Sequence, residues 1–182
     1  MVMIKKYIVL TGGIIITYII LICLIIASVI SDLKHSKIRN IYVLPAILMG
    51  LFINISFYGV QGLKLSMSGM VVPILLLGVL FYARLIGAGD IKLFCAVGAL
   101  MGLNFVLYAM SYSFIFAGLF ALVYLIRRGV IKSTFTAFYQ ALKMCLLTND
   151  IFYIQNNYVK RIIRLSPAIA AGTSLQMLYC LL

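Results

Sequence analysis

Five stretches of this chain carry no charged side chain: residues 7–31, 40–63, 65–83, 93–126 and 165–182. An α-helix rises about 1.5 Å per residue and the hydrocarbon layer of a bilayer is roughly 30 Å thick, so each stretch is long enough to cross it. Inside lipid the backbone must satisfy its own hydrogen bonds, which makes each of them a helix. The composition agrees, with 65% hydrophobic and only 10% charged residues, against about 25% charged in soluble chains. An ordinary soluble domain is excluded. A chain of 182 residues leaves no room for a second large domain, so a single membrane-embedded domain over 1–182 is expected.

The first, second, third and last stretches each supply one span. The fourth is too long for one, and its polar, small-residue interruption at Ser111, Tyr112 and Ser113 divides it into two helices with a turn near residues 109–112. The expected fold class is therefore all-α, a polytopic membrane protein with about six transmembrane helices. Alternate loops differ in charge. Lys34, Lys37, Arg39, Arg84, Lys92, Arg127, Arg128, Lys132, Lys143, Lys160, Arg161 and Arg164 fall on one side, and only Lys5, Lys6 and Lys64 on the other. Positive charge marks the cytoplasmic side, so the connections at 31–40, 84–92 and 127–164 are placed inside a cell membrane and both termini outside. Phe135, Phe138, Leu142 and Leu146 recur at helical spacing with Gln140 and Lys143 between them, the pattern of an interfacial helix on anionic lipid.

The formal charge of +12 would suit nucleic acid, but the basic residues sit in short breaks between apolar runs, where membrane lipids are the partner and nucleic acid is not. Lys5 and Lys6 precede the first apolar run as in a signal peptide, yet that run is long for one and is read as a retained span. Cys23, Cys95, Cys145 and Cys180 are isolated, and one histidine with dispersed acids forms no metal-binding spacing, so neither a metal nor another cofactor is expected. Gly98 and Gly102 stand four apart, a signal for close helix contact. Gly12, Gly13, Gly78, Gly118 and Gly172 read the same way, and Pro45, Pro73 and Pro167 read as kinks or helix starts.

Against fifteen basic residues there are three acids, Asp32, Asp90 and Asp150. Asp32 follows the first apolar run and Asp90 the third, so in the six-span arrangement both lie at cytoplasmic helix ends. Two carboxylates held together share one proton, and the pair can activate water while polarising a peptide group. Each is followed two residues later by a lysine, Lys34 and Lys92. The surroundings of Asp90, Gly87-Ala88-Gly89-Asp90, put two glycines before a carboxylate, which allows a helix break and close approach of an extended peptide. Asp150, among Asn149, Asn156 and Asn157, reads as a cap or a solvated loop residue.

These motifs resemble those of the prepilin peptidases, the type IV leader peptidases, which are membrane aspartyl proteases sharing a Gly-x-Gly-Asp signature with preflagellin peptidases. The second motif is similar to Gly87-Ala88-Gly89-Asp90 with Lys92 and Leu93, and the first to Asp32-Leu33-Lys34 with Ile38-Arg39-Asn40. Arg39 stands where the family usually has proline. The resemblance runs from about residue 8 to 180 and includes Ser166-Pro167 in the last span.

It implies catalytic roles for Asp32 and Asp90 only; their neighbours Lys34, Gly87, Gly89 and Lys92 are the candidates for binding substrate. It also implies cleavage of the basic leader from a type IV pilin-like or preflagellin precursor at the cytoplasmic membrane face. Larger members add a cysteine-rich segment and methylate the new amino terminus. This chain has no such insertion between its first spans, so peptidase activity without N-methyltransferase activity is expected. Lys34, His35 and Lys37 could position substrate or anchor the interface. Two other classes fit a small apolar chain with carboxylates at span ends: a transporter or channel, and a structural subunit of a pilus assembly system.

Overall fold

The computed structural model describes residues 2–35, 40–82, 86–128 and 165–181, and these form five helices with no strand among them. They are α1 (Val2–His35), α2 (Asn40–Tyr82), α3 (Ala88–Met101), α4 (Leu103–Arg128) and α5 (Ser166–Leu181). Three contain segments long and apolar enough to cross a membrane: Gly12–Lys34 in α1, all of Asn40–Tyr82, and Leu103–Tyr124 in α4. Large apolar side chains such as Ile15, Ile19, Leu48, Phe52, Leu75 and Val79 are exposed along them. In water such a surface would aggregate, whereas in lipid it is the ordinary exterior. This is a membrane protein.

The 43 residues of α2 would reach about 64 Å as one straight helix, twice the hydrocarbon thickness. They do not run straight. Gly59 has φ 59° and ψ −136°, a backbone region closed to residues with a Cβ. Asn54 Nδ2 donates to Ser66 Oγ at 2.8 Å, although twelve residues of unbroken helix would separate them by about 18 Å. The chain therefore folds back at Gly59, and Gly62 lies against the Asn54 backbone. Lys64, the charge that divides the apolar runs in the sequence, sits five residues past the turn.

The short helix α3 wedges against both halves of α2, and every residue from Leu93 to Leu100 is buried. Contact this close needs missing side chains. A Cβ on Gly98 would overlap the Gly69 backbone, and one on Gly69 would overlap Gly98. A Cβ on Gly50 would meet Ala99 at 2.9 Å. The last carbonyls of α3 have no water to turn to and are met by side chains of α2. Asn54 Nδ2 donates to Ala99 O at 2.9 Å and Leu100 O at 3.2 Å, and Ser66 Oγ donates to Ala99 O at 2.9 Å. Leu21, Leu24, Val43, Leu77, Phe94 and Ile169 belong to one core built from α1, α2, α3 and α5, joined by Val106 and Met110 of α4.

The break between α3 and α4 falls at Gly102, with φ 83°, and not near residues 109–112. The serines there do not end a helix. Ser111 Oγ donates to Leu107 O at 3.0 Å and Ser113 Oγ to Ala109 O at 2.6 Å, so each hydroxyl is satisfied inside its own helix. Of the Gly98/Gly102 pair, Gly98 makes the helix contact, while Gly102 supplies the turn against Leu65. Gly13 packs on the Phe57 ring and Gly172 on Ser113, whereas Gly12, Gly78 and Gly118 face open space. Pro45 and Pro73 lie inside α2, and Pro167 occupies the first turn of α5, where a missing N–H costs little. The interfacial helix expected around Phe135–Leu146, and Asp150 with it, lies outside the described residues.

Candidate active site

Gly13 of α1 meets Phe57, two residues before the Gly59 turn, so the other end of α1 lies at the end of the bundle where α2 begins. Lys92 Nζ donates to Asn40 Oδ1 at 3.1 Å, which brings the start of α3 to that same end. Asp32 on α1 and Asp90 on α3 are thereby gathered at one end of the molecule. Their carboxylates lie within electrostatic reach of each other.

Asp32 is set into the bundle, only 8% exposed, and its Oδ2 has no hydrogen-bond partner among the described residues. It stands in the last turns of α1 because its helix runs on to His35. Lys34, two residues on, is exposed. Residues two apart on a helix point to different sides, so the Asp-x-Lys spacing does not pair the lysine with its aspartate.

Asp90 occupies the third position of α3, which opens at Gly87 in an extended conformation, φ −76° and ψ 147°. Asp90 N donates to Gly87 O at 3.1 Å, and its carboxylate folds back to accept a hydrogen bond from the Gly87 backbone. This is the reciprocal half of a capping box, an acid at the third position reaching the N-cap N–H. Gly87 has dihedrals any residue can adopt. Its lack of a side chain matters for another reason: a Cβ there would stand 3.2 Å from Asp90 Oδ2. Gly89 is half-buried in the same turn.

Asp90 lies in the first turn of α3, ahead of its buried part and outside the three candidate spans. Burial pushes its carboxyl up to about 6, and the nearby Asp32 charge adds to the rise, against a lowering by the Gly87 hydrogen bond. A carboxyl in that range is half protonated at about pH 6 and keeps its proton in about a tenth of the molecules at pH 7. A cavity of about 430 Å³ lined by Thr17, Tyr18, Asn54, Tyr58 and Gln61 lies toward the Gly59 turn, at the opposite end from the carboxylates. The titratable pair and not this cavity marks the candidate site, since the cavity holds no acid–base group suited to hydrolysis.

The sequence profile of the type IV leader peptidase family matches residues 18–122, more than half of the chain. The chain belongs to the type IV leader peptidase family. Comparison with curated proteins and with solved structures returns no match. The matched segment of this leader-peptidase-family protein contains Asp32, Lys34, Gly87, Gly89, Asp90 and Lys92, and its membership makes it a protease-type membrane protein.

Among the sequence candidates, the structure brings together Asp32, Asp90, Gly87 and Gly89. It draws Lys92 toward Asn40 and leaves Lys34 exposed. Lys37 lies outside the described residues, and His35 closes α1. Ser28, fully buried one turn before Asp32 on α1, is a residue that sequence reasoning missed. Its signal was the four-residue spacing from an acid on a largely apolar helix. Asn54 was missed as well, though an amide in the middle of an apolar run is itself unusual.

Proposed function

We propose that the protein is a membrane aspartyl endopeptidase that removes the basic leader from type IV pilin-like or preflagellin precursors, using Asp32 and Asp90 as its catalytic pair. The observation that carries this reading is the meeting of two carboxylates from different helices within electrostatic reach, one of them on a Gly-x-Gly turn and raised to about 6. In the resting pair one proton is shared, so one carboxylate can take a proton from water while the other protonates the peptide carbonyl oxygen. Water oxygen then bonds to the carbonyl carbon, the C–N bond breaks, and the departing amine leaves with a proton from the pair. The products are a carboxylic acid and an amine, and the pair returns to its single-proton state.

The charge asymmetry of the loops supports a six-span arrangement with this end at the cytoplasmic face. A precursor whose hydrophobic helix lies beside the bundle then presents its leader junction at the depth of Asp32 and Asp90. Exposed Lys34 and Lys92 stand at the same end of the bundle. The absence of a cysteine-rich insertion between α1 and α2 favours peptidase activity without methyl transfer.

The test is leader cleavage of candidate precursors in membranes at matched expression. Asp32→Ala and Asp90→Ala each lose at least about 100-fold in rate, the usual scale for a group that moves a proton, and Asp150→Ala does not. Wild-type cleavage rates in both of the first two variants would sink the catalytic pair. An ion flux abolished by the same variants, without any cleavage by the wild type, would favour a transporter instead.

A further inference from the structure

Four buried side-chain oxygens have no hydrogen-bond partner among the described residues: Ser28 Oγ, Asp32 Oδ2, Ser166 Oγ and Gln176 Oε1. Buried polar atoms are nearly always met by protein, water or ligand, because leaving them dry forfeits their hydration. Ser28 and Asp32 are four apart on α1 and so share a face. Ser166 is the first residue of α5, far away in sequence.

The helix register brings it close. Tyr18 of α1 lies within electrostatic reach of Cys180 of α5. From Cys180 back to Ile169, α5 runs into the bundle, since Ile169 is fully buried in the core shared with Leu24 and Phe94, so α1 and α5 are antiparallel. Asp32 stands fourteen residues beyond Tyr18, and Ser166 fourteen before Cys180, each a displacement of about 21 Å along its helix. Fourteen residues are close to four whole turns, so both side chains also return nearly to the contacting face. On this register Asp32 and Ser166 come to about the same level along α1 and α5, with Ser28 one turn deeper. Gln176 lies ten residues along α5, about 15 Å from that level, and is not part of the group.

We infer that Ser28, Asp32 and Ser166 enclose one hydration site between α1 and α5, that the water it holds is the nucleophile of peptide hydrolysis, and that the two serines are its positioning residues. The inference rests on the protease reading and assigns the roles which that reading leaves open. A buried water needs two to four polar partners. Here it donates one hydrogen to Asp32 Oδ2 and one to a serine oxygen, and accepts from the other serine hydroxyl. Its oxygen attacks the carbonyl carbon, its proton passes to Asp32, and the carbonyl oxygen takes the proton of Asp90. Collapse of the resulting diol breaks the C–N bond, sends the Asp32 proton to the amine and returns a hydroxyl proton to Asp90. Asp32 is thus the base and Asp90 the acid, in keeping with an Asp90 carboxyl that burial has pushed up to about 6.

Two measurements on the full-length protein in lipid test this. The chain has only three aspartates and no glutamate, so ¹³C-carboxyl aspartate in an Asp90→Asn/Asp150→Asn background leaves Asp32 as the sole labelled carboxyl for infrared spectroscopy. Its band moves in Ser28→Ala and in Ser166→Ala, but not in Ser113→Ala, whose hydroxyl is bonded to Ala109 O. An unmoved band overturns the site whether or not any precursor is cleaved.

In the otherwise wild-type protein, Ser28→Ala and Ser166→Ala each lower kcat for precursor cleavage by about 10- to 100-fold with KM within about twofold. The double variant is little worse than the poorer single one, because both hydroxyls hold the same water. Threonine at either position restores part of the rate. A rise in KM at unchanged kcat overturns the water assignment and makes the hydroxyls peptide ligands. A moving band in a protein that cleaves no precursor overturns the nucleophile assignment through failure of the protease reading, and leaves the hydration site standing.

Discussion

Asp90 keeps its proton to about pH 6 because it is drawn into the bundle beside a second carboxylate. If the pair works with one shared proton, cleavage declines as pH rises through that value, and kcat/KM measured from pH 4.5 to 8.5 shows an alkaline limb there. The Gly87 hydrogen bond works in the opposite sense, favouring the ionised form. Gly87→Ala places a Cβ about 3.2 Å from Asp90 Oδ2 and turns the carboxylate away from that donor. The expected outcome is a rate lowered by roughly 10-fold and an alkaline limb moved to higher pH. A limb that moves down, or not at all, counts against the capping geometry.

The same shift bears on stability. The folded-state value of Asp90 lies above its ordinary 3.8, so the folded protein holds this proton more tightly than the unfolded chain does. That contribution is fully present below about pH 4 and is lost as pH rises through about 6. Asp90→Asn, which never ionises, melts at a higher temperature than wild type at pH 8 and shows little difference at pH 4. Thermal melts in one detergent at both pH values check this.

At the scale of elements, the clamp on α3 is the most vulnerable part of the bundle. Gly98→Ala drives a Cβ into the Gly69 carbonyl, and overpacking of this kind costs about 1–3 kcal/mol. Asn54→Ala removes the donor from Ala99 O and Leu100 O and leaves buried acceptors with fewer partners, a loss of about 1–3 kcal/mol. Both variants unfold earlier than wild type in chemical denaturation followed by circular dichroism. Gly118→Ala, at a glycine facing open space, serves as the neutral comparison.

The helices were legible in the sequence, but their ends were not. Hydropathy identifies which residues can lie in lipid and says little about where a chain reverses. Lys64 and the serines at 111 and 113 looked like boundaries because they are polar. The breaks fall instead at Gly59 and Gly102, where the backbone takes positive φ. A helix absorbs serine hydroxyls by bonding them to its own carbonyls and has no such means of absorbing a residue with φ near +60°. Asp32 and Asp90 stood out because acids are so scarce here, and the structure brings them within electrostatic reach. The buried hydroxyl of Ser28 was not, since burial depends on helix register across the bundle and not on local composition.

For the whole molecule, the charge asymmetry makes a prediction about direction. In a cysteine-free background, Lys34→Cys reacts with a membrane-impermeant maleimide only in inverted vesicles, and Lys64→Cys only in intact cells. The same side for both would break the six-span arrangement. Lys34 and Lys64 are both exposed, so lack of reaction on either side cannot be put down to burial in the bundle.

The clamp and the carboxylate sit at opposite ends of α3. Gly98 is pinned against Gly69, while Asp90, eight residues earlier, rests in a half-exposed glycine turn about 12 Å away along the axis. Such a helix is a cantilever. A tilt of about 5° about its fixed end sweeps the free end through about 1 Å over that length, as much as separates a productive carboxylate spacing from an idle one. A gentle lean of one rod is therefore enough to change the gap between the two acids, with the joint at the far end undisturbed.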